Sequence, residues 1–331
     1  MADRNSRIWY YSDARTVSAA GMPAFGYPPA MLPVRGPAER GWQVVEDRHD
    51  SPLGRWRVVL AIPEGPLAEQ VEAVWASHGE GVFETEEILP RSRTEVLFAL
   101  GDRHWLRDPA DPRRDRAYET SFVSGLHQRP LHVVSPADTA MAGVRLRPAG
   151  AAAFLRDTPA AIAGTVVDLD DILGREVERL REQIVATRDL RRRALLLAAA
   201  VARHLSSASP LSAAVRFALT ALHTSHGGAS IRDLVRATGY SHRWVTERFR
   251  AEVGLTPKAY ARIVRFESAF ARLMTLHRVD WADFAVDCGY YDQAHLAREF
   301  RALAGATPTE IFRRKAPDGL GLLSEDDAAL R

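Results

Sequence analysis

Two stretches of this sequence repeat one another, and each leaves a set of hydrogen-bonding side chains on its surface. Ala237-Thr238-Gly239-Tyr240-Ser241-His242-Arg243-Trp244-Val245-Thr246-Glu247-Arg248-Phe249 aligns with Asp287-Cys288-Gly289-Tyr290-Tyr291-Asp292-Gln293-Ala294-His295-Leu296-Ala297-Arg298-Glu299-Phe300. The Gly-Tyr pairs lie 50 residues apart and the closing phenylalanines 51 apart, so the second copy has one extra turn residue. Gly254-Leu255-Thr256-Pro257 returns as Gly305-Ala306-Thr307-Pro308, again 51 residues on. Polar residues at this spacing, on two short helices, have the chemistry of base-edge and phosphate recognition.

The elements that must carry them are helix–turn–helix units. In the first copy Ser230 is placed to cap a helix that buries Ile231, Leu234 and Val235. Gly239 supplies the positive φ that ends it, Ser241 caps the next helix, and Val245 and Phe249 face inward at i, i+4. In the second copy Trp281, Phe284 and Ala285 form the first buried face. Gly289 makes the turn, Asp292 caps, and Leu296 and Phe300 are the inward pair. An all-α interaction module would share this pattern. The duplication, the paired Gly-Tyr turns and the local charge favour a polyanion partner instead. Residues 210–315 hold 16 Lys+Arg against 10 Asp+Glu, or +6, whereas residues 1–209 sum to −1 and the last 16 to −3.

At these residues the chain resembles the DNA-binding domain of the AraC/XylS transcription regulators. That family has a Gly-Tyr-Ser turn in its first unit, a Gly-Tyr-x-Asp-Gln-x-x-x-x-Arg-x-Phe run in its second, and Gly-x-Thr-Pro before the closing helix. Gly289-Tyr290-Tyr291-Asp292-Gln293, Arg298, Phe300, Gly305, Thr307 and Pro308 match. Pro257, Tyr260, Arg265 and Ala269 to Leu273 resemble the helix joining the two units. The resemblance implies an all-α domain whose two recognition helices enter major-groove segments about 10 base pairs apart. It implies DNA contacts from His242, Arg243, Thr246 and Glu247 in the first unit, and from Gln293, His295, Ala297 and Arg298 in the second. Arg243 or Arg298 suits guanine and Gln293 suits adenine; Glu247 either accepts from cytosine or pairs with a nearby arginine. Arg298 could instead bind phosphate, and Arg248 is structural rather than base-reading. Gly239, Phe249, Gly289, Phe300, Pro257 and Pro308 hold the framework.

The first two hundred residues are of another kind. Residues 1–50 suggest extended segments and turns. Trp56 to Ile62 predicts a strand stopped by Pro63, and Leu67, Val71, Val74 and Trp75 have the spacing of a helix over Leu67–Ala76. Short apolar runs at Val82–Phe83, Thr94–Leu100, Ser121–Leu126, Leu131–Val134 and Ala142–Leu146 then suggest a β core over about 55–150. Glu86 to Pro90, Glu95 to Asp102, Gly125-Leu126-His127 and Gly143 to Gly150 resemble a cupin-like sensor domain found in some AraC-type regulators. Trp56, Phe83, Phe98, Trp105 and Phe122 are candidate pocket walls, although buried aromatics are more often core. His49, His78, His104, His127 and His132 are scattered with no His-x-His pair, so no metal and no cofactor are expected. Over 170–205 the apolar stripe turns helical, with a break near Thr187–Asp189. It either covers the β core or serves a homodimer through 175–205. Arg191-Arg192-Arg193 fits a solvated helix face.

The expected fold class is multidomain α+β: a β-rich, cupin-like mixed N-terminal domain (1–205), a linker (206–210), an all-α domain with two helix–turn–helix units joined by a linker helix (211–315), and a disordered acidic tail (316–331). At 331 residues, 46% apolar and 26% charged, the chain can form a sizeable core in each domain. One cysteine, Cys288, excludes a disulfide framework and a cysteine-based methyl acceptor in the N-terminal half. The sequence shows no secretory signal, membrane span, phosphate-binding loop or nucleophile–base pair. These features point to a cytoplasmic bacterial one-component transcription regulator that is not an enzyme. Its expected partners are promoter DNA, RNA polymerase and an effector that the sequence does not identify. The alternatives are a cupin-type metalloenzyme fused to a DNA-targeting module, and an effector-independent DNA-binding protein.

Overall fold

In the long central strands of the N-terminal half, alternate residues face opposite layers, and both layers are covered. The computed structural model describes residues 6–9, 34–35, 39, 41–51, 54–81, 85–108, 111–134, 138–155, 159–206, 209–314 and 321–322. The first strands are β1 (Ser6–Trp9), β2 (Val34–Arg35), β3 (Trp42–Ser51), β4 (Gly54–Pro63), β5 (Val71–Gly81), β6 (Thr85–Ile88) and β7 (Thr94–Ala99). They are followed by β8 (His104–Arg107), β9 (Arg116–Tyr118), β10 (Ser121–Ser124), β11 (Leu131–Val134) and β12 (Asp138–Leu146). Next come α1 (Pro148–Leu155), α2 (Pro159–Ile162), β13 (Val166–Asp168), α3 (Asp170–Leu173), α4 (Arg175–Ala186) and α5 (Leu190–Leu205). The C-terminal half holds α6 (Ala213–Thr224), α7 (Ile231–Thr238), α8 (His242–Val253), α9 (Pro257–Thr275), α10 (Trp281–Asp287), α11 (Gln293–Ala304) and α12 (Pro308–Arg313). A last short strand, β14 (Gly321–Leu322), pairs with β1.

Eight strands form one sheet in the order β13-β10-β7-β12-β5-β4-β3-β2, and six form a second in the order β14-β1-β6-β11-β8-β9. On one face of the larger sheet, Val44, Val59, Val74, Val96, Phe98 and Val144 join Ala194, Leu197, Ala198 and Val201 of α5 in a single core. The opposite face, with Trp56, Val58, Leu60, Trp75 and Leu97, turns toward the smaller sheet. The apolar stripe over 175–205 thus covers the sheet within the chain, with α4 ending at Ala186 and α5 capped by Asp189.

Three expectations are corrected. Leu67–Ala76 is not a helix: Gly65–Glu69 is one 3₁₀ turn, and Val71 onward is the central strand β5. Val71, Glu72, Ala73 and Val74 are all buried, because both faces of β5 are covered and no alternation survives to mark a strand. Phe98 packs under the helices rather than on the side facing the second sheet. The acidic tail is not wholly without structure, since Gly321 and Leu322 pair with Trp9 and Ile8. Val82–Phe83, most of residues 1–40, Ser207–Ala208 of the linker and the rest of the tail lie outside the described residues.

The helical domain has its own core, built on α9: Tyr260, Ile263, Phe266, Ala269, Phe270 and Leu273 are buried among residues of the surrounding helices. Two residues of the β domain, Leu89 and Leu126, belong to this same core. Gly254 packs so closely on α2 that a Cβ there would lie 2.7 Å from the Pro159 carbonyl oxygen.

His104 and His127 are buried, and desolvation lowers each pKa to about 4. Each stays neutral in the folded chain but takes a proton when unfolded near pH 6.5. Stability is therefore expected to fall as pH drops from about 6.5 toward 4, by about 1.4 kcal/mol per pH unit per histidine. Melting temperatures across that window should show the fall. His127→Gln should remove about half of the two-histidine slope; an unchanged slope would assign it to other groups.

Candidate nucleic-acid interface and the cavity behind it

Each recognition helix is positioned by one local device used twice. A left-handed glycine ends the first helix, with Gly239 at φ 73° and Gly289 at φ 75°. A polar cap then starts the second. Ser241 Oγ accepts from the Trp244 amide at 3.2 Å, and Asp292 Oδ1 accepts from the His295 amide at 2.6 Å. The inward pairs Val245–Phe249 and Leu296–Phe300 are buried as predicted. The Gly-x-Thr-Pro repeats are capping devices as well. Thr256 and Thr307 cap α9 and α12, Pro257 and Pro308 occupy the first helical turn, and Glu310 closes a capping box on Thr307.

With the apolar residues turned inward, α8 exposes His242, Arg243 and Glu247, with Thr246 half-buried. On α11, Gln293 and Arg298 are exposed, while His295 and Ala297 are half-buried. The two sets differ in charge. Arg243 Nε donates to Glu247 Oε1 at 2.8 Å, so the first reading face carries its own counter-ion. Arg248 pairs with Glu252, which also accepts from the Ser212 amide at 3.0 Å and ties α8 to the start of α6. His295 is partly structural: its Nδ1 accepts from the Tyr291 amide at 3.3 Å, and its ring packs edge-on to Tyr290. Tyr240 and Trp244, which sequence reasoning passed over, stack at 4.0 Å on the exposed surface of the first unit.

Three arginines of α9 set the second unit on the linker helix. Arg262 Nε donates to both carboxylate oxygens of Glu299, at 3.0 and 2.8 Å. Arg272 donates to Asp287 at 2.6 Å. Arg265 donates to the Gly227 carbonyl at 2.8 Å, and its guanidinium lies 5.5 Å from the centre of the Tyr290 ring. Arg265 thus bridges the approach to α7 and the turn of the second unit. These partners are 15 to 38 residues away in sequence, so no local pattern could reveal them.

Behind this domain, the two β-sheets flank a cavity of about 250 Å³ that opens to solvent. Trp56, Trp105 and Phe122 line it, as predicted for pocket walls; Phe83 lies outside the described residues. The cavity wall and the domain seam share two segments. In the first, Ile88 and Arg91 face the cavity, Leu89 is buried in the helical core, and the Ser92 carbonyl accepts from the Tyr260 hydroxyl at 3.3 Å. His223 Nε2 lies 2.8 Å from that hydroxyl, and burial raises the phenol's pKa, which keeps its proton in place. In the second, Ser124 lines the cavity and Leu126 enters the helical core. Arg93 pairs with Glu72 of β5, and both are buried. Among the described residues, no three His, Cys, Asp or Glu side chains gather into a metal-binding group. His78 faces Asp138 at 3.2 Å, and His132 lies 3.9 Å from Glu87.

Residues 234–314 match a family described as a helix-turn-helix domain, and residues 61–168 match one described as Domain of unknown function (DUF6597). No curated protein matches the chain. Among solved structures, ToxT from Vibrio cholerae is 9% identical, with 68% of this chain and 91% of that chain covered at a TM-score of 0.39. The C-terminal domain of AraT, a response regulator from Geobacillus stearothermophilus, is 21% identical over 35% of this chain and 93% of that one, at 0.30. An AraC-type transcriptional regulator from Chromobacterium violaceum is 20% identical over 29% and 87%, at 0.27. No helix among the described residues is long and apolar enough to cross a membrane.

The contrast between the reading faces is testable by DNA binding. Glu247→Gln releases Arg243 and removes a negative charge, so non-specific affinity should rise and the salt dependence should steepen by about one unit of slope. A loss of specific affinity would instead make Glu247 a base reader. Arg298→Ala should relax preference at one base position by about 1–3 kcal/mol; a uniform loss across sequences would make it a phosphate contact.

Proposed function

We propose that this chain, an AraC-type helix-turn-helix domain docked on a β-rich domain, is a cytoplasmic one-component transcription regulator. Its recognition helices α8 and α11 enter adjacent major-groove segments of promoter DNA. The single observation that carries this reading is the duplicated glycine turn, polar cap and outward polar face on α7–α8 and α10–α11. Arg243 or Arg298 would pair with guanine O6/N7 and Gln293 with adenine; Thr246 and Ala297 are small enough to pack on a thymine methyl.

The β domain is proposed as the sensor. Segments 88–92 and 124–126 each line the cavity, with Ile88 and Arg91 in the first and Ser124 in the second, and each sends one leucine into the helical core, which favours control by an effector over a purely structural barrel. Occupancy that shifts either segment would change the seam, and with it the balance among orientations of the first reading head. Contact with RNA polymerase is the outcome expected at the promoter. A homodimer through 175–205 would use the outer faces of α4 and α5, because their apolar stripe is buried within the chain.

Selection of genomic DNA fragments by the purified full chain tests the reading. A recurring motif of two blocks about 10 base pairs apart is expected. Well-folded protein that enriches no motif, with or without a metabolite extract, would overturn it.

A further inference from the structure

The two helix–turn–helix units share one packing device and use it with opposite results. In each, the tyrosine of the Gly-Tyr turn meets a ring three residues beyond the capping residue of the recognition helix. In the second unit Tyr290 is buried beside Arg265, and His295 packs edge-on to it at 5.3 Å. In the first unit Tyr240 is 53% exposed and Trp244 38% exposed. Their rings lie nearly parallel, 20° apart, with centroids at 4.0 Å. Both backbones are held. The Tyr240 amide donates to Thr238 Oγ1 at 3.3 Å, and the Trp244 amide to Ser241 Oγ at 3.2 Å. The stack is thus assembled before any partner arrives, with one face of the indole covered and little side-chain freedom left to lose on binding.

What the other face meets is set by its place on the helix. Val245 and Phe249 are buried, so the outward side of α8 carries Arg243, Trp244 and Glu247. Trp244 and Glu247 are i, i+3 neighbours, and Glu247 accepts from Arg243 at 2.8 Å. The indole therefore stands beside the pair that enters the major groove on the proposed reading. An apolar protein partner fits poorly here: the patch is two rings wide, and His242, Arg243, Glu247 and Arg248 around it are exposed. A phosphate is also a poor match for the indole face, whose π cloud is electron-rich. The apolar group that the major groove presents is the C5-methyl of thymine.

We propose that Trp244 reads the C5-methyl of a thymine in the DNA block bound by α8, with Tyr240 as the positioning residue that holds the indole in place. The proposal rests on reading α8 as a recognition helix and gives that head a specificity element besides its Arg243–Glu247 pair.

The test couples one methyl group to one side chain. The full chain selects from a randomised duplex library, and each thymine of the recovered motif is then replaced singly by deoxyuridine, which lacks only the methyl. At one thymine the replacement should weaken binding about fourfold, the effect of one buried methyl-sized group. Trp244→Ala should weaken binding to the thymine duplex by about as much and become indifferent to deoxyuridine at that position, while other thymines keep their effects. Tyr240→Ala should shrink the same thymine-to-deoxyuridine ratio, and Tyr240→Phe, which keeps the ring, should restore it. Should Trp244→Ala misfold, Trp244→His, which places there the residue type found at the matching position of the second unit, should show the same indifference.

A motif in which no thymine responds to loss of its methyl would overturn the proposal, as would responses that all persist in the Trp244 variants. Uniform weakening of the variants across all sequences would also overturn it, by marking a backbone contact. Unchanged DNA binding would do the same, leaving the stack as a protein-docking surface. In each of these cases the recovered motif leaves the recognition reading standing. Well-folded protein that recovers no motif at all would overturn that reading, and the proposal with it.

Discussion

The rest of the structure depends on the burial of α9. This helix is the core of the helical domain, and its Tyr260 hydroxyl reaches the β domain. Phe266 and Phe270 are fully buried, and Phe266 packs edge-on against Phe300 of the second recognition helix at 4.9 Å. Near the N-terminal end, Tyr260 packs against Phe249 of the first recognition helix at 5.7 Å and donates its hydroxyl to Ser92 across the seam. One helix therefore packs against both recognition helices and meets the segment that also lines the cavity. The hydroxyl lies between His223 Nε2 at 2.8 Å within the helical domain and the Ser92 carbonyl at 3.3 Å in the β domain, so the contact joins the two domains at one buried polar point.

The seam is a shared core, and this has dynamic consequences. Leu89 and Leu126 leave the β domain to sit among the helices, and Ala149, Ala152 and Ala163 pack against the same core. Close-packed interiors transmit small displacements because no slack is available to absorb them. Leu89 lies between Ile88 and Arg91, which face the cavity. A shift of that segment thus moves a side chain on both sides of the seam. A flexible linker between independent domains would provide no such coupling.

The helix–turn–helix repeat was legible because all of its signals are local. A capping serine, a left-handed glycine and an i, i+4 apolar pair each act within about one helical turn, so composition and spacing suffice. Ser230, Ser241 and Asp292 accept the hydrogen bonds expected of them. The pairing of Glu247 with Arg243 was one of two outcomes left open, since an i, i+4 carboxylate and guanidinium can meet on any helix. The β domain was legible where short apolar runs are bounded by turn residues. β4, β7, β10, β11 and β12 coincide with predicted runs, whereas β5 mimicked a helix because both its faces are covered. The seam leucines and the arginine contacts of α9 had no signature. Their partners are distant in sequence, and a buried Leu89 looks like any other apolar residue after a strand.

The two reading heads are held in different ways, and this asymmetry suggests how one cavity could bias a two-part DNA site. The second unit is locked to α9 by Arg262–Glu299, Arg272–Asp287 and the Arg265–Tyr290 contact, three attachments within its own domain. The first unit packs against α1 and α2 of the β domain, and Gly254 at the end of α8 abuts Pro159. α1 follows directly from β12, whose Thr139, Met141 and Arg145 line the cavity. On the proposed reading, a change in the cavity has a packed route to α8 through β12 and α1, whereas α11 is braced by the helix that both units share. Sequence reading would then persist at the second head while the angle of the first is adjusted. On the same reading, the Arg243–Glu247 pair on α8 leaves that face with less free positive charge than Arg298 gives α11.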